Sequence, residues 1–395
     1  MRRELMRRSG HCVPAFKRLV NRTGSLLLTL LLTAVSGSAF SRDKSLNEMM
    51  QDVGDTMLEI LPQVHQENPD RKLLGQALNR LAGQLEQAAP HFSGDQSERQ
   101  VTLRLLLENL RQNSAEVAEV NMGFLRGDLN DTFELCAACH TQDQKTIPGF
   151  GISRIKALDD YLAGEFSFLT RDYGNALVSF TQVAKNKNAD EQDRSRALGR
   201  ILVITAEVYA DVPLAVSTLS EVAPAFADQT PESGQIRAWI HALQSLAANP
   251  ADRRSPLALE TVTETSRWLS RDWPAIQAVL GWHEQTAYWV VIRGRLDRLL
   301  NKKLADKYQP ELLYWLSVSD RQLHYQFYDS LSRRYLEQCM ENWPDSPWAT
   351  RCLEEYEMLV MVSWSGSGGT FVPPEVRERL GHYRRLINLR EQQQK

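Results

Sequence analysis

Phe133-Glu134-Leu135-Cys136-Ala137-Ala138-Cys139-His140 sets two cysteines three residues apart and puts a histidine directly after the second. Leu129 and Phe133 lead into it at spacings of three and four that continue through Cys136 to His140, so the stretch reads as a helix. On a helix the two sulfurs and the imidazole fall within little more than one turn. A redox pair with this spacing normally follows a strand in a βαβ context. Zinc would need further ligands, and the chain has no second C-x-x-C and no H-x-x-x-H. A plain disulfide is the remaining alternative. C-x-x-C-H is, however, the attachment signature of c-type haem: Cys136 and Cys139 would each form a thioether, and His140 would be the axial ligand of the iron.

Upstream of the motif, three more helices are expected. Leu46, Met50, Val53, Met57, Ile60 and Val64 recur in steps of three and four, as on one face of a bundle helix. Asp70 can cap a second helix, which Leu73, Leu74, Ala77, Leu78, Leu81 and Leu85 carry to Pro90. After Ser93-Gly94-Asp95 a third helix runs through Val101, Leu105, Leu106 and Leu110 towards Phe124, and Gly127 would allow a turn before the fourth. Residues 40–142 therefore read as a four-helix haem domain with the attachment motif on its last helix.

That order resembles the class II cytochromes of the cytochrome c′ type, in which the haem motif closes the bundle. The stretch from Met50 to Ile60 is similar to their first helix, which passes over the distal face of the haem. The resemblance implies one covalent haem c, with Met50 at the distal position. Met57 is a second candidate there, and His65 and His91 are alternative sixth ligands. It further implies self-association through the first two helices. The chain departs from the family four residues after the histidine, where Gln144 replaces a basic residue and Lys145 follows it. A small cytochrome of the mitochondrial type is disfavoured, since the next methionine after the motif is Met340.

Downstream, Lys145, Pro148, Gly149 and Gly151 mark a linker over 143–156. Gly164, Ala176, Phe180 and Val183 then have the spacing of a tetratricopeptide repeat, with Arg171-Asp172-Tyr173 at its turn. Ala215, Leu219 and Val222 repeat the pattern. The segment Pro344 to Ala349 resembles the inter-repeat turn of secreted tetratricopeptide proteins. The fold class expected is all-α: a four-helix bundle, then a degenerate TPR-like solenoid of helical hairpins over 157–395. Together with Ser365-Gly366-Ser367-Gly368-Gly369-Thr370 and Pro373-Pro374-Glu375-Val376, this arrangement resembles a group of exported proteobacterial proteins, which implies an architecture and no activity.

The other end of the chain bears on location. Arg2, Arg3, Arg7, Arg8, Lys17, Arg18 and Arg22 precede the apolar run from Ser25 to Val35, and Gly37-Ser38-Ala39 follows it, so residues 1–39 have the three zones of a signal peptide. A periplasmic protein cleaved after Ala39 is expected. An uncleaved anchor is disfavoured because Leu26–Val35 is too short for the ~30 Å of hydrocarbon in a bilayer. Removing that segment takes away seven basic residues and one acidic one, leaving the rest more acidic than the whole chain's net −3. Nucleic acid is then an unlikely partner, and no stable membrane span is expected after cleavage.

Of the five cysteines, Cys12 lies in the signal, and Cys339 and Cys352 form the second pair. Pro344 and Pro347 between them break two helical patterns and fold the flanks together. A disulfide there would contribute about 3 kcal/mol; two separately buried thiols are the alternative. Ser365–Thr370 lacks the Lys-Ser/Thr of a phosphate loop and the first glycine of a nucleophile elbow, so it reads as a turn. His283-Glu284 and the set Tyr314, Trp315, His324, Tyr325, Phe327 and Tyr328 read as core packing.

The function expected is an exported monohaem cytochrome, carrying electrons or sensing a small ligand. Its solenoid would dock a periplasmic redox or envelope protein. The alternative is an interaction scaffold in which haem is structural. Enzymatic activity is not expected, since a peroxidase would need a distal acid–base residue.

Overall fold

The computed structural model describes residues 45–66, 68–92, 97–143, 155–227, 230–248, 255–302, 304–323, 331–367 and 369–393. The segment 1–39, the Ser93–Asp95 turn, most of the 143–156 linker and the aromatic run His324–Tyr328 lie outside the described residues. The described residues are all-α, as expected, with sixteen α-helices and one two-stranded ribbon. None of these helices is long and apolar enough to cross a membrane.

The first four helices are α1 (Leu46–His65), α2 (Arg71–Ala88), α3 (Ser97–Glu116) and α4 (Met122–Asp143). Ser45 opens α1 in a reciprocal capping box with Glu48, and Asp70 caps α2 by accepting the Leu73 N–H at 3.0 Å. Each such cap contributes about 1 kcal/mol. Each helix packs on the next, and α4 also touches α1. One end is tied by two arginines. The Arg71 guanidinium donates to the carbonyls of Val117 (3.1 Å), Ala118 (3.1 Å) and Val120 (2.8 Å). Arg126 donates from Nε to the Val64 carbonyl at 2.9 Å and from its terminal nitrogen to that of Gln66. The close of α1, the start of α2, the close of α3 and the start of α4 therefore meet at one end, so the four helices alternate in direction.

Their shared interior is built from Ile60, Leu61 and Val64, Leu74, Leu78 and Leu81, Leu106 and Leu110, and Leu125, Leu129 and Phe133, all buried. The turn expected at Gly127 lies earlier, at 117–121, and Gly127 sits inside α4. Asn121 causes this: its side chain accepts the Gly123 N–H at 2.8 Å and its carbonyl accepts that of Leu125 at 3.0 Å, which starts the helix. A glycine in a helix interior costs about 1 kcal/mol, and the fully buried Leu125 and Leu129 beside it offset that cost.

The rest of the chain forms α5 (Asp160–Leu169), α6 (Tyr173–Lys185), α7 (Glu191–Leu202) running into a π-helical turn (Val203–Val208), α8 (Val212–Val222) and α9 (Pro231–Ala248). After these come α10 (Val262–Arg271), α11 (Trp273–Gln277), α12 (Trp282–Leu300), α13 (Gln309–Leu323), α14 (Ser332–Asn342), α15 (Pro347–Ser363) and α16 (Pro374–Gln393). Helices α5 and α6 form a tight hairpin. A Cβ on Gly164 would stand 2.7 Å from the ring of Phe180, so this approach requires glycine. Ala215, Leu219 and Val222 are buried on α8 as Ala176, Phe180 and Val183 are on α6.

Cys339 on α14 and Cys352 on α15 are joined by a disulfide, with both residues fully buried. Ser365–Thr370, expected as a turn, includes a short antiparallel ribbon pairing Ser365 with Thr370 and Gly366 with Gly369. Tyr314, Trp315 and Trp348 pack ring on ring beside the disulfide-linked helices.

In the middle of this second half lies a charged interior. Arg293 on α12 is 1% exposed and stands 3.2 Å from Asp320, 3.9 Å from Glu207 and 4.0 Å from Asp297. Asp320 also accepts the Ser332 N–H at 3.0 Å. Gly294 lets α12 approach the π-helical turn, since a Cβ there would stand 2.8 Å from the Glu207 carbonyl oxygen. The described residues cluster as one compact unit, in which α5 packs against both α1 and α4.

Candidate functional site on helix α4

The C-x-x-C-H motif occupies the last two turns of α4. Fully buried Leu135 and Ala137 seat the helix, while Cys136 and His140 are half-buried and one turn apart. Cys139 belongs to the same helix, and its side chain lies outside the described atoms.

His140 reaches out of α4 to the close of α5: its Nδ1 meets the carbonyl oxygen of Leu169. The reason that carbonyl accepts lies in how α5 ends. The Asp172 N–H donates to Ser167 at 2.8 Å and the Arg171 N–H to Phe168 at 3.1 Å, the two bonds of a Schellman motif, with Arg171 in the left-handed region at φ 63°. The Thr170 N–H takes the Phe166 carbonyl at 3.0 Å. The carbonyls one, two and three residues before Leu169 are thereby engaged, and Leu169 presents its own to the imidazole. A carbonyl cannot donate, so Nδ1 carries the proton, and in the neutral ring the lone pair is then on Nε2. In that tautomer the histidine can bind a metal ion through Nε2 while Nδ1 fixes the ring.

Helical rise locates the other candidates. From the tied end, Arg126 to His140 spans about 21 Å along α4, and Val64 back to Met50 spans about 21 Å along α1, at 1.5 Å per residue. Met50 and His140 are therefore level to within about a turn, and Gly54, which has no side chain, is level with Cys136. Met50 is half-buried against the core, whereas Met57 is 5% exposed and packed within it. His65 is at the tied end, the wrong end for His140, and stacks edge-on against Tyr161 with centroids 5.4 Å apart. Burial lowers its pKa, reinforced by the nearby Arg196 and opposed by Glu165. His91 is exposed in the turn after α2.

Sequence reasoning missed a buried polar group on α5. Glu165 on α5 and Arg200 on α7 form a buried bidentate pair at 3.0 and 3.1 Å, with the guanidinium 4.5 Å over the Phe168 ring. Burial and the Glu165 charge push the Tyr161 hydroxyl well above its ordinary range. Burial, with Asp190 adding, raises Asp193 to about 6. The available signal was Glu165 itself, an acid inside the apolar run from Tyr161 to Leu169.

Among the described residues no three His, Cys, Asp or Glu side chains gather as a metal-holding group. A lone axial imidazole would not form such a group. No family model, no curated protein and no solved structure matches the chain.

Proposed function

We propose that the chain is an exported c-type cytochrome with a single covalent haem, carried by a four-helix bundle (α1–α4) whose last helix holds the attachment motif. The helical hairpins from α5 onward would act as a TPR-like solenoid that docks a periplasmic redox or envelope protein. The observation that carries the reading is His140: it directly follows C-x-x-C on a helix, and its Nδ1 meets a backbone carbonyl that orients the ring for ligation through Nε2. The donor set fits the group. Cys136 and Cys139 would hold it by adding each thiol across a vinyl group, sulfur to one carbon and hydrogen to the other, with no oxidant consumed. When bound, the haem supplies a one-electron couple or a site for a small diatomic ligand.

This chain's residues do the holding and orienting. Leu135 and Ala137 anchor the helix, Cys136 and Cys139 tether, and His140 ligates in a fixed tautomer. Met50 lies at the matching level of α1, and the reading favoured is an open or weakly ligated distal side with Met50 packed there. Protein produced with a cytochrome maturation system should stain for haem after denaturing electrophoresis, and the Cys136→Ala, Cys139→Ala variant should not. An unstained wild type rejects the reading. An open site should be high-spin when oxidised and bind carbon monoxide when reduced. A low-spin spectrum that Met50→Leu abolishes would instead make Met50 the sixth ligand.

A further inference from the structure

We infer that the turn between α5 and α6 is a positioning element for His140, so that the packing of the first helical hairpin, outside the four-helix bundle, sets the electron donation of the proximal imidazole. The inference rests on the haem reading above. The acceptor is a main-chain atom set by the turn that closes α5, and the contacts that hold that turn lie within the hairpin. Thr170 Oγ1 donates to the Phe166 carbonyl at 2.8 Å, and Asp172 accepts the side-chain amide of Asn175 at 2.7 Å as it opens α6. Tyr173 is fully buried with its ring 5.7 Å from that of Phe168. Phe180 fills the gap left by Gly164. None of these groups is on α4.

A carbonyl at a helix C-terminus carries the negative end of the helix dipole. An imidazole that donates Nδ1–H to such an acceptor becomes a stronger base at Nε2, which favours the oxidised metal and lowers the reduction potential. A partner that shifts α5 against α6 would then be read out at the haem, with no contact to it. The junction of the two regions thereby converts occupancy of the helical hairpins into a change of potential.

Replacing Thr170 by its α-hydroxy analogue turns the Leu169–Thr170 amide into an ester, whose carbonyl accepts more weakly. It also removes the Thr170 N–H. The same replacement at Arg171 removes an equivalent turn hydrogen bond and leaves the Leu169 carbonyl an amide, so it is the control. In the haem-loaded full chain, the substitution at 170 should move the potential positive and the one at 171 should not. Equal shifts from both, or none from either with haem attached, overturn the inference. In the unmodified reduced protein, nitrogen-15 spectra of the histidines should show a His140 Nδ1 proton protected from exchange; an Nδ1 that is bare or exchanges at the solvent rate overturns it without any variant. Absence of covalent haem in the wild type would instead remove the reading beneath it.

Discussion

The interior of α1–α4 and the interior around α12 solve burial in opposite ways. Among the described residues, the polar side chains buried within the first four helices are Thr56, Asn113, Ser114 and Thr132, and all are neutral. Asn113 donates to Thr132 at 3.2 Å and Ser114 to the Gly75 carbonyl at 2.9 Å. Around α12, Arg293, Glu207, Asp297 and Asp320 are all 1% exposed or less. The first interior is held by shape, so the contribution of its buried side chains should respond to volume and ignore pH. The second is held by charges whose removal from water is recovered only while they face each other. A neutral interior is also the setting in which one bound charged group would dominate the local field, since none of the described polar side chains buried within these four helices is charged.

The sharpest way to break the comparison is Arg293→Met. It strands three carboxylates and should cost about 3–5 kcal/mol, measured by thermal or urea unfolding followed by circular dichroism. Part of the loss should return as the pH is lowered, because a stranded buried carboxyl is relieved by taking up a proton. Leu78→Ala, in the neutral interior, should cost about 3 kcal/mol by leaving a cavity, with the same loss at every pH. If its cost varies with pH as that of Arg293→Met does, the contrast between the regions is wrong. Thr132→Val preserves volume while depriving Asn113 of its acceptor, and should cost about 1–2 kcal/mol.

The smallest effect belongs to the contact between regions. Burial lowers the His65 pKa below its ordinary 6.5, so the unfolded chain binds the proton more readily than the folded one. Its contribution is present above pH 6.5 and is lost as the pH falls through the folded value. His65→Phe should flatten the stability slope on the acid side of pH 6.5. Asp193, raised to about 6, acts in the reverse sense: its contribution is present below the ordinary carboxylate range and is lost as the pH rises through 6. Asp193→Asn should therefore steepen the slope that His65 produces.

What could be read in advance was local. The helix through Cys136 and His140, the pairing of Cys339 with Cys352 across two prolines, and the Gly164–Phe180 contact all follow from spacings within a few turns of chain. The charged interior was hidden because Arg293 closes the run Tyr288-Trp289-Val290-Val291-Ile292, while its partners Glu207 and Asp320 come from remote segments. Gly127 misled because a glycine inside a helix and one at its end look alike until the capping Asn121 is identified. The Leu169 carbonyl has no side-chain signature at all: which oxygen a Schellman turn leaves over is decided only once the hairpin has folded.

Arg71 bears on the order of events in folding. One guanidinium collects the carbonyls of Val117, Ala118 and Val120, atoms that converge only after α3 has ended and the chain has turned into α4. The α1–α2 hairpin can form early from short-range contacts, but this clasp closes a long loop and must wait for the α3–α4 corner. Its energy should therefore be absent from the rate-limiting barrier. Arg71→Met is expected to hasten unfolding while leaving the folding rate nearly unchanged, so the clasp acts as a latch that governs how long the four helices stay closed.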